Sequence, residues 1–219
     1  MCPYLYGYGG FMEIGNISLT WLGHDTFLIE GEKVIYTDPY LLPENPKKAD
    51  LILITHDHYD HCVPEKVKQI QKADTVIVTT PDCARKLSGN IKTIRPGQSV
   101  TMGDITVKAV PAYNTGKQFH PKTSGWVGFV FSVGGTTIYL AGDTDFIPEM
   151  NGLKPDIALL PIGGKFTMDI EQAVEAALAI EPKIVIPMHY DTVAGTEADP
   201  NEFKERIISR NPGIRVEIL

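Results

Sequence analysis

Short apolar runs separated by turns that contain glycine or proline recur along most of the chain. The runs are rich in β-branched residues and mostly too short for helices, which is typical of buried or half-buried strands. The pattern predicts strands at Ile17–Leu22, Thr26–Glu30, Val34–Asp38, Leu51–Thr55, Thr75–Thr79, Ile105–Val110, Val127–Val133, Thr137–Ala141, Ile157–Pro161, Ile184–Pro187 and Ile214–Ile218.

Fewer segments carry a helical signal. Two of them open with proline, which suits the first turn of a helix. A third begins at Asp169 with Gln172 three residues later, a pattern similar to a capping box, and continues as an alanine-rich stretch. The sequence therefore predicts helices over Pro64–Lys72, Pro81–Leu87, Asp169–Ile180 and Glu202–Ser209.

The order of these elements predicts the fold class. Strands dominate the first part of the chain, and βαβ-like units lie near its end. Many strands are joined by very short turns such as Gly31-Glu32 and Gly134-Gly135, which disfavours a doubly wound parallel sheet. We predict an α/β (α+β) protein, a four-layer αββα sandwich of two mixed β-sheets with helices on the outer faces.

A chain of 219 residues without an internal linker or a repeat is most simply one domain. We assign residues 12–219 to this domain. Residues 1–11, which are rich in glycine and tyrosine, are expected to form a flexible N-terminal extension.

The formal net charge is −7, with 27 acidic and 20 basic side chains. A chain without a basic segment is a poor candidate for binding nucleic acid or an anionic membrane, and no run approaches the ~20 apolar residues of a membrane-spanning helix. Three cysteines without a short pairing interval indicate no disulfide framework and favour a reducing, cytoplasmic location. We expect a small-molecule substrate, and mixed edge strands permit a homo-oligomer without requiring one.

The strongest chemical signal is the sequence HDHYDH at His56–His61, directly after the predicted strand Leu51–Thr55. Imidazole and carboxylate groups are the ligands expected for zinc and similar first-row metals. Two histidines separated by one residue can reach one ion, and an aspartate and a histidine just beyond them can reach a second. A polar surface turn would explain the same residues without a metal, but the arrangement is specific as motifs go.

Three more apolar strands run directly into residues of the type that binds metals. These residues are Asp38, Asp143 and His189. Active sites of sheet proteins gather at strand ends, where loops meet on a rigid scaffold. Each residue is weak support alone, because aspartate is common in turns and histidine in cores. Together with the first motif they indicate one convergent site.

Three motifs follow one another along the chain: HDHYDH, then Asp143 in a GDT sequence, then His189 in an MHY sequence. This order resembles that of the metallo-β-lactamase superfamily. The segments Thr20–His24 and Pro161–Met168 are similar to a branch of metal-dependent hydrolases that includes relatives of ascorbate-phosphate lactonase. The resemblance covers nearly all of Ile17–Leu219. It implies the metallo-β-lactamase fold.

The resemblance also implies two divalent metal ions in this site. Zinc is expected, and manganese, nickel or iron are compatible because histidine and carboxylate sites accept several of these metals. Asp38 matches a residue that lies behind the ligands and orients one of them. Carried over by motif, the ligands are His56 and His58 for the first ion, Asp60, His61 and His189 for the second, and Asp143 as a bridge between both.

One position departs from the family pattern. Related sequences often carry a histidine directly after a Pro-Ala-aromatic segment, as the third ligand of the first metal, but here Pro111-Ala112-Tyr113 is followed by Asn114. We expect His120, in the following loop, to take its place. The alternative is that Asn114, water or substrate completes the site and that the first metal binds more weakly.

Four further residues have two interpretations each. His24 is either a structural histidine near the sheet edge or a pocket residue that contacts substrate or shuttles protons. Lys165 is either a solvated loop lysine or a group that binds an anionic substrate. Tyr59 and Tyr190 flank ligand positions and either line the pocket or simply pack.

These residues predict a metal-dependent hydrolase. Two close metal ions make a hydroxide available near neutral pH, which would cleave a phosphoester or a lactone or amide bond of a small molecule, phosphorylated molecules included. Asp60 is expected to orient the nucleophile, and His24 to donate a proton to the leaving group. One alternative is a di-iron redox enzyme, although relatives with that chemistry usually carry glutamate where this chain has His58. Another is a non-catalytic metal-binding scaffold or sensor.

Overall fold

Two seven-stranded β-sheets make up most of the computed structural model, which describes residues 10–219. Within each sheet the strands lie in chain order, so strands of the same sheet that are adjacent in sequence are hydrogen-bonded to each other. The first sheet contains β1 (Phe11–Ile14), β2 (Ile17–Gly23), β3 (Thr26–Glu30), β4 (Val34–Thr37), β5 (Leu51–Ile54), β6 (Val76–Thr79) and β7 (Asn90–Thr93), and the second contains β8 (Ser99–Met102), β9 (Ile105–Pro111), β10 (Val127–Val133), β11 (Thr136–Leu140), β12 (Ile157–Pro161), β13 (Ile184–Met188) and β14 (Arg215–Val216).

Both sheets are built in the same way. The first four strands of each are antiparallel, and the last three follow in parallel. Parallel neighbours need a crossover connection, and α-helices lie in four of the six crossovers, all except β4–β5 and β11–β12. The expectation of βαβ units only near the end was therefore wrong, because both halves contain them. The helices are α1 (Pro64–Ile70), α2 (Pro81–Ala84), α3 (Ile170–Ile180) and α4 (Pro200–Arg210).

Alternate side chains of the first sheet face two different cores. Phe27 and Leu53 belong to the large core between the sheets, whereas Ile52 and Ile77 belong to a second core beneath α1 and α2. On the other side, α3 and α4 pack on the second sheet through residues such as Val174. Strands that are buried on both faces have continuous apolar runs in their sequences. The predicted four-layer αββα sandwich is confirmed.

Three strands were not predicted, and all of them lie at sheet edges: β1, β7 and β8. Their side chains are largely exposed or half-buried, so polar residues such as Asn90 and Lys92 interrupt the apolar signal. Such residues protect an edge strand from pairing with other chains. At the other end, the predicted strand Ile214–Ile218 shortens to the two residues of β14.

Both long helices start at an aspartate. Asp169 Oδ1 accepts a hydrogen bond of 2.8 Å from the backbone N–H of Gln172, as the sequence predicted. Asp199 caps α4 in the same way, through the N–H of Asn201. The helix predicted to start at Glu202 therefore starts at Pro200, because the cap and the proline precede it.

The predicted extension at residues 1–11 lies, up to residue 9, outside the described part of the chain. Gly10 and Phe11 belong to the first sheet, because the Gly10 carbonyl accepts a hydrogen bond of 3.2 Å from Trp21 and Phe11 pairs with Thr20. Among residues 10–219, no helix is both long and apolar enough to cross a membrane.

A substitution at Gly128 in β10 tests how closely this strand packs against the end of β11. A methyl group at Gly128 would lie 2.6 Å from the carbonyl oxygens of Leu140 and Ala141, which are backbone atoms and cannot move aside independently. We expect Gly128→Ala to lower the free energy of unfolding by about 1–3 kcal/mol, measured by urea denaturation. Gly116→Ala is the control, because no atom lies within 4 Å of its added methyl. Equal unfolding midpoints for the two variants would contradict this packing.

Candidate metal centre

All six histidines of the sequence lie together where strands of both sheets end. They form two groups with aspartates, and within each group the ligand-type atoms lie within 4.8 Å of one another. We call these groups the first set and the second set. The first set is His56, His58, His120 and Asp143, and the second is His24, Asp60, His61 and His189.

Four atoms of the first set converge on one point. His58 Nδ1 lies 3.0 Å from His56 Nε2 and 3.2 Å from His120 Nε2. His120 Nε2 is in turn 3.1 Å from Asp143 Oδ2. Three imidazole nitrogens and one carboxylate oxygen at such spacing have the composition of a tetrahedral zinc site.

Asp143 faces both sets with different oxygens. Its Oδ1 lies 3.1 Å from His189 Nε2 and 3.4 Å from His61 Nε2, on the side of the second set. Its Oδ2 faces the first set. One carboxylate between the two groups is the arrangement that a residue bridging two ions requires.

Several of these atoms are buried without a hydrogen-bond partner. They include His61 Nε2, Asp143 Oδ1 and both ring nitrogens of His189 and of His24. Unpaired polar atoms are costly to bury, and native structures leave few of them without a reason. A cation coordinated by these nitrogens and oxygens would satisfy them. The residues present therefore fit a metal centre.

A chain of buried hydrogen bonds fixes two imidazoles of different sets. Thr55 Oγ1 donates to Asp38 Oδ2 at 2.7 Å and lies 2.9 Å from His56 Nδ1. The same carboxylate oxygen lies 2.9 Å from His61 Nδ1. Because both Nδ1 atoms are engaged, both Nε2 atoms point into the cluster. Asp38 thus contacts His61 and Thr55 from outside the two sets, and its orienting role stays a prediction; Thr55 joins it as a residue that sequence reasoning missed.

Asn114 lies behind His120 instead of beside the first set. Its Oδ1 accepts a hydrogen bond from the His120 backbone N–H at 3.0 Å and lies 3.1 Å from His120 Nδ1. The amide nitrogen donates to Asp145 Oδ1 and to the Phe166 carbonyl. Asn114 therefore orients the imidazole of His120, the residue expected to replace the histidine usual at position 114. Asp145 was not predicted, although it follows Asp143 by two residues.

Three residues of the site have a left-handed backbone. The φ angles are +55° at His24, +31° at Asp38 and +54° at His189. Such angles are uncommon outside glycine, and strain of this kind is concentrated at functional sites. Each residue directly follows a strand, so the sharp change of direction turns its side chain into the cluster.

Burial and neighbouring charges shift the pKa values of the cluster in opposite directions. Burial lowers the pKa of His56 and His58, and neighbouring imidazoles lower it further. Burial opposes ionisation of Asp143, but the charges of His189 and His61 outweigh it and hold its pKa well below the usual range. Burial likewise opposes protonation of His189, yet Asp143 raises the His189 pKa to about 9. Proton and metal compete for such nitrogens.

His24 and Asp25 are adjacent polar residues enclosed within the site. Both are fully buried, and neither side chain has a hydrogen-bond partner. His24 Nε2 lies 3.2 Å from Asp60 Oδ2, and its ring centroid is 4.1 Å from that of His189. Burial lowers the pKa of His24 to about 4 and raises the pKa of Asp25 to about 8. Asp25 was missed because a single aspartate next to a histidine has no sequence signature.

Trp126 contacts all three imidazoles of the first set. The centroid of its ring system lies 4.7 Å from that of His58, 5.0 Å from that of His56 and 5.6 Å from that of His120. Its indole N–H donates to Asp82 at 2.7 Å, which fixes the ring. No local pattern singles out this residue, because a tryptophan next to the start of a strand is common in protein cores.

Of the three remaining predicted residues, one lines a cavity next to the cluster and two lie outside its lining. Tyr59 lines a cavity that opens onto the cluster. Tyr190 packs on Trp21, with ring centroids 5.0 Å apart, and does not line it. Lys165 is also outside the lining, with Nζ over the Phe166 ring.

Asp57, between two ligand positions, faces away from the cluster. It forms an ion pair of 2.5 Å with Lys86. On that side it lies close to the buried thiols of Cys62 and Cys83. The loop therefore alternates, with His56 and His58 directed to the cluster and Asp57 to the helical layer.

Comparisons with known proteins identify the family. The beta-lactamase superfamily domain matches residues 18–189. A protein of Archaeoglobus fulgidus is 35% identical over 93% of this chain and 96% of its own length, and one of Thermoplasma acidophilum is 39% identical over 86% and 90%; both are named UPF0173 metal-dependent hydrolases.

A solved structure is also similar. Igni18, a metallo hydrolase from Ignicoccus hospitalis, has a TM-score of 0.77 and 29% identity, covering 93% of this chain and 94% of its own. The finer resemblance to ascorbate-phosphate lactonase stays a prediction. The chain therefore belongs to the beta-lactamase superfamily, among its metal-dependent hydrolases.

Proposed function

We propose that this chain hydrolyses a small molecule with two divalent metal ions bound by its histidine and aspartate cluster. The observation that carries the proposal is the gathering of every histidine of the sequence into two buried sets that share Asp143. Buried imidazoles without partners reduce stability unless a cation satisfies them. A purely structural role would not require so many of them to converge.

The first ion would be held by the first set, with His120 as its third imidazole. The second ion would be held by Asp60, His61 and His189, and Asp143 would contact both. Zinc is the expected metal, since three nitrogens and a carboxylate suit it, and manganese, nickel or iron are compatible. Ions bound in pairs lower the pKa of water to near neutral and stabilise negative charge that develops on the bond under attack.

Asp60 and His24 have different roles in this proposal. Asp60 lines the cavity, so its carboxylate is able to orient a water molecule and accept its proton. His24 is fully buried and does not line the cavity, and its Nε2 contacts Asp60. We therefore assign His24 a positioning role within the second set, towards Asp60, in place of the proton donation to the leaving group that the sequence led us to expect.

The bond cleaved is a phosphoester or a lactone or amide bond. The cavity above the cluster has a volume of about 170 Å³, which suits part of a small molecule rather than a polymer. Among residues 10–219, no lysine or arginine lines it. Nucleic acids are bound mainly through phosphate contacts with such residues, so a nuclease is not supported.

Metal content tests the two sets separately. We expect about two transition-metal ions per chain in the wild type, about one in His120→Ala, and less than one in Asp143→Ala, because Asp143 contacts both sets. Asp57→Asn is the matched control in the same loop, since Asp57 pairs with Lys86 and faces away. Elemental analysis of gently purified protein measures each value. Unchanged content in Asp143→Ala would contradict a shared carboxylate.

Metal removal tests whether the ions serve hydrolysis. Dialysis against a chelator should abolish turnover of a phosphodiester or lactone substrate and lower the melting temperature, because a ligand bound only by the folded state stabilises it. Adding zinc or manganese back should restore both. Turnover that survives complete metal removal would exclude the proposed chemistry.

Thr55 tests the orientation of His56 and His61. Thr55→Val keeps the shape of the side chain but removes the hydroxyl between Asp38 and His56, and loss of such an orienting group typically weakens metal affinity about 10–100-fold. Thr79→Val is the control, because its buried hydroxyl donates to the Ile54 carbonyl and lies beside the Cys83 thiol, away from the ligand sets. Competition with a metal-sensitive dye gives both affinities. Equal affinities would show that the chain of hydrogen bonds does not orient the ligands.

A further inference from the structure

The cavity above the cluster has an apolar mouth. Tyr59, Phe119, Phe166 and Val193 line it, and its polar lining consists only of residues of the two ligand sets. These four residues come from four different loops, after β5, β9, β12 and β13. Aromatic and aliphatic side chains thus surround the reacting atoms from several directions.

Two of these side chains are exposed to an unusual degree. Tyr59 is 69% and Phe119 is 45% exposed, and among residues 10–219 only two other large apolar residues, Phe11 and Ile208, are comparably exposed. Scattered apolar residues are normal on a surface, but a cluster of them marks a binding site. Both exposed rings are backed by a second ring: Phe119 meets Phe166 edge to face at 4.8 Å, and Tyr59 meets Tyr40 at 6.3 Å.

The charged groups near the mouth also bear on the kind of substrate that it accepts. No lysine or arginine of residues 10–219 lines the cavity, and its histidines and the carboxylates Asp60 and Asp143 are residues that the proposed function assigns to metal. Lys165 is nearby, but its Nζ lies over the Phe166 ring at 4.9 Å and 3.5 Å from the Ala194 carbonyl. A negative charge on the substrate, away from the reacting bond, would find no partner in this lining.

We infer that the substrate is uncharged apart from its reacting bond and carries one apolar group of about the size of a phenyl ring beside that bond. The cavity volume of about 170 Å³ is shared between the mouth and the space above the ligand sets, so it limits the apolar group to one ring at most, since a cavity of roughly 150 Å³ accommodates benzene. Ligand sites of this kind combine apolar walls with a few placed polar groups. The inference rests on the proposed metal centre and narrows the substrates considered above, since phosphorylated molecules with a remote phosphate are disfavoured.

Binding of hydroxamates to the zinc-loaded protein tests the substrate class without requiring turnover. A hydroxamate chelates metal, so acetohydroxamate and phenylacetohydroxamate differ only in the ring that would occupy the mouth. We expect phenylacetohydroxamate to bind about 10–100-fold more tightly, from burial of one ring. An analogue with a 4-sulfonate on the ring is expected to bind no more tightly than the parent. Isothermal titration calorimetry measures all three.

Variants of the mouth residues test whether the preference for the phenyl ligand arises at the mouth. Phe119→Ala and Val193→Ala should each reduce the preference for the phenyl ligand several-fold, and their zinc content is measured on the same samples. Phe11→Ala is the matched control, a phenylalanine 68% exposed on β1 and outside the lining. Lys165→Ala should leave binding of the sulfonated ligand unchanged.

The outcomes separate the two proposals. Equal binding of the acetyl and phenylacetyl ligands to zinc-loaded protein would overturn the substrate class and leave the metal centre intact. Tighter binding of the sulfonated ligand that is lost in Lys165→Ala would overturn it in favour of an anionic substrate. Absence of zinc uptake would overturn the metal centre and the substrate class with it.

Discussion

The structure depends on burying four carboxylates and five imidazoles at one place, beside the half-buried His58, with few hydrogen-bond partners among them. Asp25, Asp38, Asp60 and Asp143 lie at most 7% exposed beside the histidines. Charges at such depth are tolerated only when they are paired or bind metals. Opposite charges, the Thr55 hydroxyl and the Asn114 amide satisfy part of the cluster, and the remaining nitrogens and oxygens face inward. Coordination of metal by these atoms would satisfy them.

The duplicated order of strands explains how the cluster is assembled. Each half of the chain forms four antiparallel strands followed by three parallel ones, so corresponding strand ends of the two sheets meet at one edge of the sandwich. The first half supplies His24, Asp38 and the HDHYDH segment, and the second supplies His120, Asp143 and His189. Each set contains residues from both halves, so neither half holds a complete site. The site is therefore complete only when the two sheets are packed together.

The polar floor and the apolar mouth of the site come from the same loops. Tyr59 lies between the floor residues His58 and Asp60, and Phe119 directly precedes His120. The exposed rings of Tyr59 and Phe119 are supported by neighbouring rings. Adjacent residues of one loop thus face either the ligand sets or the mouth, so the apolar lining lies directly beside the histidines and aspartates.

Much of the fold and most of the candidate ligands could be predicted from local patterns. Apolar runs defined eleven strands, and HDHYDH, Asp143 and His189 stand at strand ends, where sheet architecture brings side chains together. The edge strands β1, β7 and β8 escaped prediction because exposed strands carry no apolar period. Thr55, Asp25, Trp126 and Asp145 escaped it because their roles arise from contacts with residues distant in sequence.

His120 and Asn114 illustrate what only the tertiary structure decided. The sequence offered His120 or Asn114 as alternatives for the third position of the first set. The loop between β9 and β10 folds back so that His120 points inward and Asn114 supports it from behind. The sequence by itself determined which chemical groups were available and which strands would carry them. Their distances, burial and shared partners depend on how two sheets pack, which no local pattern encodes.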